Sequence, residues 1–94
     1  MAATRRKTRG SGSRPRDPAK ARRRRERAKA FGANVRRIRV EQGLSQEALG
    51  EEASVHRNHV SLIERGAVDP TLMTAVDLAN ALDVTLADLV EGIE

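Results

Sequence analysis

The sequence has no cysteine, no tryptophan and no tyrosine, and Phe31 is its single aromatic residue. Without cysteine, neither a disulfide framework nor a thiolate metal site can supplement the core. The scarcity of rings weighs against single-strand and RNA-binding modules, which stack bases on exposed aromatic side chains. No run of about eighteen apolar residues occurs, and the N-terminus lacks the apolar stretch of a secretory signal. The expectation is therefore a soluble cytoplasmic protein without membrane contact. No segment alternates polar and apolar residues with a period of two over a useful length, which argues against a sheet. Past Gly66 no basic residue appears, whereas Asp69, Asp77, Asp83, Asp88, Glu91 and Glu94 follow.

What is present is charge, unevenly divided. Residues 1–29 carry thirteen Lys and Arg against two acids, and residues 30–94 carry five Arg against eleven acids. The chain reads as a basic arm on an acidic-backed domain, and such an arm usually seeks a polyanion. Ninety-four residues suffice for one small domain. Residues 4–18, TRRKTRGSGSRPRDP, cannot bury enough apolar surface to offset the entropy of ordering, so they read as disordered. In DPAKARRRRERAKA, residues 17–30, Asp17 stands at an N-cap position, Pro18 at the first helical position, and strong helix formers follow. Repulsion among its four consecutive arginines predicts a helix that is frayed when free and firmer beside an anion. The division expected is a basic, largely disordered or partly helical arm over 1–27 and a folded domain over 28–94.

Within that domain, Phe31, Val35, Ile38 and Gln42 fall on one helical stripe that stops at Gly43. Ser45 caps a second helix, SQEALGEEA, which should bury Ala48 and Leu49. A third helix runs from about His56 to Glu64 and closes at Gly66. Thr71 caps a fourth, with Leu72, Val76, Ala79 and Leu82 facing inward and Asp83 at a left-handed stop. Thr85 caps a last short helix carrying Leu86, Leu89 and Val90. The fold class expected is an all-α bundle of five helices.

Helices two and three are separated by only Ser54 and Val55. So tight a connection makes the pair cross steeply, in the manner of a helix-turn-helix. The first helix of such a pair can lie across a DNA backbone while the second enters the major groove. Val60 and Ile63 point to the core together with Val55. Arg57, Asn58, Ser61 and His56 then fall on the outer face of helix three near its start.

The stretch GLSQEALGEEASVHRNHVSLIERGAVDP resembles the Cro/phage-repressor, or XRE, type of helix-turn-helix, a lambda repressor-like DNA-binding domain. The resemblance rests on Gly43-Leu44-Ser45-Gln46, Leu49, Val55, Val60-Ser61, Ile63-Glu64, Gly66 and Pro70. It continues through Leu78-Ala79-Asn80-Ala81-Leu82 and Val84, covers residues 31–90, and does not reach residues 1–27. It implies that Gln46 anchors a phosphate at the start of helix two, where free N–H groups favour an anion. It also implies that Arg57, Asn58 and Ser61 read bases, with His56 near backbone or base and Arg36 a further DNA contact. Arg can bond guanine O6 and N7 together, and Asn the N6 and N7 of adenine. Glu64 matches a residue that pairs with an arginine of helix one, here Arg39, as a structural tie.

Two positions depart from the family's pattern. Ser54 stands where glycine is usual, so the turn is expected to bend differently. Gly50 stands where alanine is usual, at a helix-propensity cost of about 1 kcal/mol. Leu62 falls on the outer face of helix three. Near the C-terminus, Leu86, Leu89, Val90 and Ile93 form a short apolar stripe, available to a second copy of the chain or to its own bundle.

His56 and His59, three apart without a third ligand, make a poor metal site. Glu47, Glu51 and Glu52 read as solvated charges, and no constellation for catalysis occurs. The sequence is thus expected to be no enzyme and to need no metal or cofactor. The leading reading is a sequence-specific regulator that binds double-stranded DNA as a homodimer, associated with the nucleoid. The alternative is a protein-interaction module, of antitoxin or coactivator type, with a nucleic-acid-binding arm.

Overall fold

The computed structural model describes residues 17–94, so the reading of residues 4–18 falls largely outside it. Five α-helices follow one another: α1 (Pro18–Glu41), α2 (Gln46–Ala53), α3 (Arg57–Glu64), α4 (Leu72–Ala81) and α5 (Leu86–Leu89). No strand occurs among the described residues. The all-α expectation holds, with five helices in the anticipated order.

The helix starts follow from side-chain caps, which accept hydrogen bonds from otherwise unpaired backbone N–H groups. Asp17 accepts from the Ala19 amide, Ser45 from Ala48 and Thr71 from Thr74. At α5, Thr85 and Asp88 bond each other's amides reciprocally, a capping box that steadies a helix of four residues. Helix α1 runs without a break from Pro18 through the basic segment into the bundle. Its Ala, Arg, Lys and Glu residues have high helix propensity, and nothing between residues 18 and 31 interrupts them. Residue 28 marks a change of burial rather than of backbone, because Ala28 is the first buried residue.

The core gathers Phe31, Val35 and Ile38 of α1, Leu49 and Ala53 of α2, Val60 and Ile63 of α3, Ala75, Leu78 and Ala79 of α4, and Leu82 and Leu89. Leu44 and Val55 pack on it from the turns that flank α2. In α2 the buried set is Leu49, Gly50 and Ala53, with Ala48 only half-buried. Helix α4 differs from expectation in register. Ala75, Leu78, Ala79 and Leu82 form its inner stripe, while Leu72 is 67% exposed and Val76 half-buried. Leu72 shares a side of the helix with Ala75 and Ala79, three and seven residues on, so its exposure follows from its place at the first helical position. The C-terminal stripe also divides. Leu89 is fully buried, Leu86 and Ile93 pack against the core, and Val90 is left exposed. Three of its four residues therefore belong to the chain's own bundle.

Polar ties fasten the helix ends. The Asn34 amide donates to the carbonyls of Leu89 (2.9 Å) and Glu91 (3.1 Å), and that of Gln42 to the Leu82 carbonyl at 2.7 Å. Between α1 and α3 lies the expected pair of Arg39 and Glu64. Arg39 donates from Nε to Glu64 Oε2 (2.6 Å) and from Nη2 to Oε1 (3.0 Å), and both residues are buried. The hydrogen bonds to Glu64 push the Arg39 guanidinium above its ordinary, already high, pKa, against the opposing effect of burial. Its Nη1 donates to the Leu44 carbonyl at 2.7 Å, so the turn before α2 is held by the same side chain.

Removing one partner leaves a buried charge without its counter-ion, at a cost of about 3–5 kcal/mol. Glu64→Leu or Arg39→Met alone should therefore lower the urea midpoint sharply, and the double variant should recover much of the loss. A double variant no better than the singles would show that the pair is not a mutually compensating unit.

Candidate nucleic-acid interface

The link from α2 to α3 is made of three residues, Ser54, Val55 and His56. Ser54 takes the left-handed conformation, with φ 58° and ψ 41°, so the turn keeps the bend that glycine would favour despite the side chain. The expectation of a differently bent turn is corrected. Short polar side chains tolerate this region at a cost of about 1 kcal/mol. The Val55 amide then bonds the Gly50 carbonyl at 2.8 Å, and the Val55 carbonyl folds back over Gly50. A β-carbon at residue 50 would collide with that oxygen. Glycine at this position is thus a requirement of the turn rather than a loss of helix propensity, a second correction.

Helix α3 is anchored from below. Val60 and Ile63 are fully buried, and Gly32 of α1 lets the two helix backbones approach until the Ile63 and Glu64 carbonyls lie where a β-carbon would stand. What remains outward is polar. His56, Arg57, Asn58 and His59 are exposed and Ser61 is half-buried, so these candidates share the start of one helix and its outer side. Leu62, expected on that outer face, is half-buried.

His56 has a role the sequence did not announce. It is the N-cap of α3, and its Nδ1 accepts from the Asn58 amide at 3.0 Å. An accepting Nδ1 carries no proton, so the neutral ring holds its hydrogen on Nε2 as a donor. Histidine is not among the preferred capping residues, and only its place directly before the helix could have hinted at this role. Gln46 opens α2 as expected, yet its side-chain amide donates to Glu64 Oε1 at 3.0 Å and is half-buried. One of its amide hydrogens is therefore committed to the Arg39–Glu64 pair. Arg36, on α1, is exposed and makes no ion pair among the described residues.

The acids near this surface are arranged on α2. Glu47 and Glu51 line an open cleft together with Gly50, Ser54, Val55, His56 and Arg57. Two carboxylates and the Arg57 guanidinium thus border the same cleft. Among the described residues, no group of three or more His, Asp or Glu stands together in a way that could hold a metal ion. No helix there is long and apolar enough to cross a membrane.

A helix-turn-helix family model matches residues 35–89. A helix-turn-helix-type transcriptional regulator of Sinorhizobium fredii is 39% identical over 62 residues, covering 66% of this chain and 80% of the relative. The control protein C.BamHI of Bacillus amyloliquefaciens is also 39% identical over 62 residues, covering 65% of this chain and 76% of that protein. Among solved structures, the restriction-modification controller protein C.AhdI from Aeromonas hydrophila superposes with a TM-score of 0.65 at 35% identity. That match covers 66% of this chain and 94% of the controller. Other matched regulators are longer, and the chain spans 46% of one of them. The basic first half of α1 precedes the segment matched by the family model.

The geometry of the turn makes two substitutions diagnostic. Gly50→Ala should lower the urea midpoint. The helix-propensity gain of about 1 kcal/mol is outweighed by an overpacking cost of about 1–3 kcal/mol against the Val55 carbonyl. Ser54→Gly should raise it by about 1 kcal/mol through relief of the left-handed backbone. A stabilised Gly50→Ala protein would mean that the turn relaxes freely.

Proposed function

The chain belongs to the helix-turn-helix family, of the Cro/phage-repressor (XRE) type, and from that premise we propose that it reads a specific duplex sequence by laying α3 in the major groove. It is a DNA-binding transcription regulator. The observation that carries the finer reading is the division of α3, with Val60 and Ile63 sealed in the core while Arg57 and Asn58 stand exposed at its start. Arg57 offers a bidentate fork for guanine and Asn58 an amide for adenine. Ser61 adds a hydroxyl, and the Nε2 hydrogen of His56 is a donor suited to a base acceptor or a phosphate oxygen. Gln46 meets the phosphate backbone mainly through the amides at the start of α2, its side chain being tied to Glu64. Arg36 and the basic segment before residue 28 supply phosphate contacts without sequence preference.

The regulator works by binding rather than by catalysis, in the cytoplasm on nucleoid DNA. It acts as a homodimer on a near-palindromic operator whose half-sites lie about one helical turn apart. A second reading, in which the bundle docks a protein and the basic helix docks nucleic acid, has in its favour the adjacent exposed Leu72 and Met73.

Selecting bound sequences from a random duplex pool tests the first reading. One preferred sequence should emerge, and Arg57→Ala should lose about 1–3 kcal/mol of discrimination at a single base position. Purified protein that prefers no duplex would overturn it, as would an Arg57→Ala protein with unaltered base preference. Removing residues 1–27 should weaken binding to every duplex and flatten the dependence of affinity on salt. An unchanged salt slope would remove the segment from the interface.

A further inference from the structure

The basic half of α1 is a regular helix, so its cations have fixed directions. Lys20, Arg23, Arg24 and Arg27 fall at i, i+3, i+4 and i+7, on the same side of α1 as Phe31, Val35 and Ile38. They overhang the bundle, and acids meet them there. Arg24 Nε pairs with Asp69 Oδ2 at 2.7 Å, and Arg23 and Arg27 line a cleft with Glu26, Ile93 and Glu94. Four further cations of α1, Arg22, Arg25, Lys29 and Arg36, fall at i, i+3, i+7 and i+14 on the other side of the helix. All four are exposed, and none is in an ion pair among the described residues. This stripe is about 21 Å long at 1.5 Å per residue.

Its position relative to α3 is set by two close approaches. Gly66, just past the end of α3, lies against the Lys29 backbone, where a β-carbon would come within 2.7 Å of Lys29 Cα. Arg25 borders, together with Arg24, a cleft lined by Gly66, Ala67, Val68 and Asp69. The stripe therefore passes beside the C-terminal end of α3, where Arg65 is also exposed.

We propose that Arg22, Arg25, Lys29 and Arg36 form a rigid phosphate-binding rail, which lengthens the duplex footprint beyond the C-terminal end of α3. The inference rests on the reading of α3 as the groove-binding helix and concerns the same DNA molecule. Its occupant is the sugar-phosphate backbone flanking the base-read site, matched by charge and held without base preference. The overhanging stripe has different surroundings: Arg24 is paired with Asp69, and Arg23 and Arg27 line the cleft that holds Glu94.

Two triple variants of the full chain remove equal charge from the two sides, R22A/R25A/K29A and R23A/R24A/R27A. Alanine keeps helix propensity high, and circular dichroism checks that each variant remains folded. Affinity is measured by fluorescence anisotropy over a range of salt concentrations. The duplexes are one selected by this protein from a random pool, the same site trimmed of its flanks, and an unrelated duplex of full length. The rail triple should flatten the slope of log affinity against log salt by about 0.9 per lost phosphate contact, and the opposite triple by less than half as much. The rail effect should appear on both full-length duplexes, shrink on the trimmed one, and leave the ratio of selected to unrelated affinity unchanged. Equal slope changes for the two triples would overturn the rail, as would a rail triple that behaves like the unaltered protein. A protein that shows the rail effect but no preference among duplexes would instead sink the α3 reading alone, and one that binds no duplex would sink both.

Discussion

Arg39 and Glu64 meet where α1, α3 and the start of α2 converge, and the relative placement of these three helices depends on that junction. The carboxylate accepts two bonds from Arg39 and one from Gln46, while the guanidinium also holds the Leu44 carbonyl. Aliphatic contacts such as those of Val60 and Ile63 are tolerant of small slides and rotations. A bidentate ion pair shielded from water is not, because each misaligned hydrogen bond leaves a buried polar group unsatisfied. The pair therefore fixes how α3 is rotated about its own axis, and with it which side chains face outward. That Gln46 joins this network links the start of α2 to the end of α3 through a single carboxylate.

Close backbone approach complements the ion pair. With one aromatic ring in the sequence, the core must be filled by Leu, Ile, Val and Ala, whose volumes are small. Native packing density then requires the helices to come near each other. Gly32 permits this between α1 and α3, and Gly50 permits it within the turn that joins α2 to α3. The same economy of volume explains why Leu89 is drawn fully into the bundle.

Charge is distributed in keeping with this frame. The exposed cations lie on α1 and at the two ends of α3, whereas everything after Gly66 is neutral or acidic. A polyanion approaching α4 and α5 meets only carboxylates, so the field of the whole domain favours the side that presents α3. Asp69 is the exception in placement, since it lies beside the basic helix and is taken up by Arg24. An exposed pair of that kind adds little stability and serves mainly to orient the two side chains.

The sequence by itself determined the helices and their order, because caps such as Asp17, Ser45, Thr71 and Thr85 and stops such as Gly43 and Asp83 act within a few residues. It also determined the split of α3, since Val60 and Ile63 repeat at helical spacing, and the Arg39–Glu64 pair through the family pattern. Tertiary structure decided what depends on residues distant in the chain or on three-dimensional fit. Leu72 is exposed at the first position of α4 although it shares the side of Ala75 and Ala79, and Gln46 turns inward because Glu64 is there to receive it. Gly50 reads as a weak helix residue until the Val55 carbonyl is seen folded over it. The two faces of the basic helix acquire different surroundings only once the bundle lies beneath one of them. Local hydrogen bonding and periodicity are written in neighbouring residues; shape complementarity and charge pairing exist only between surfaces that folding has brought together.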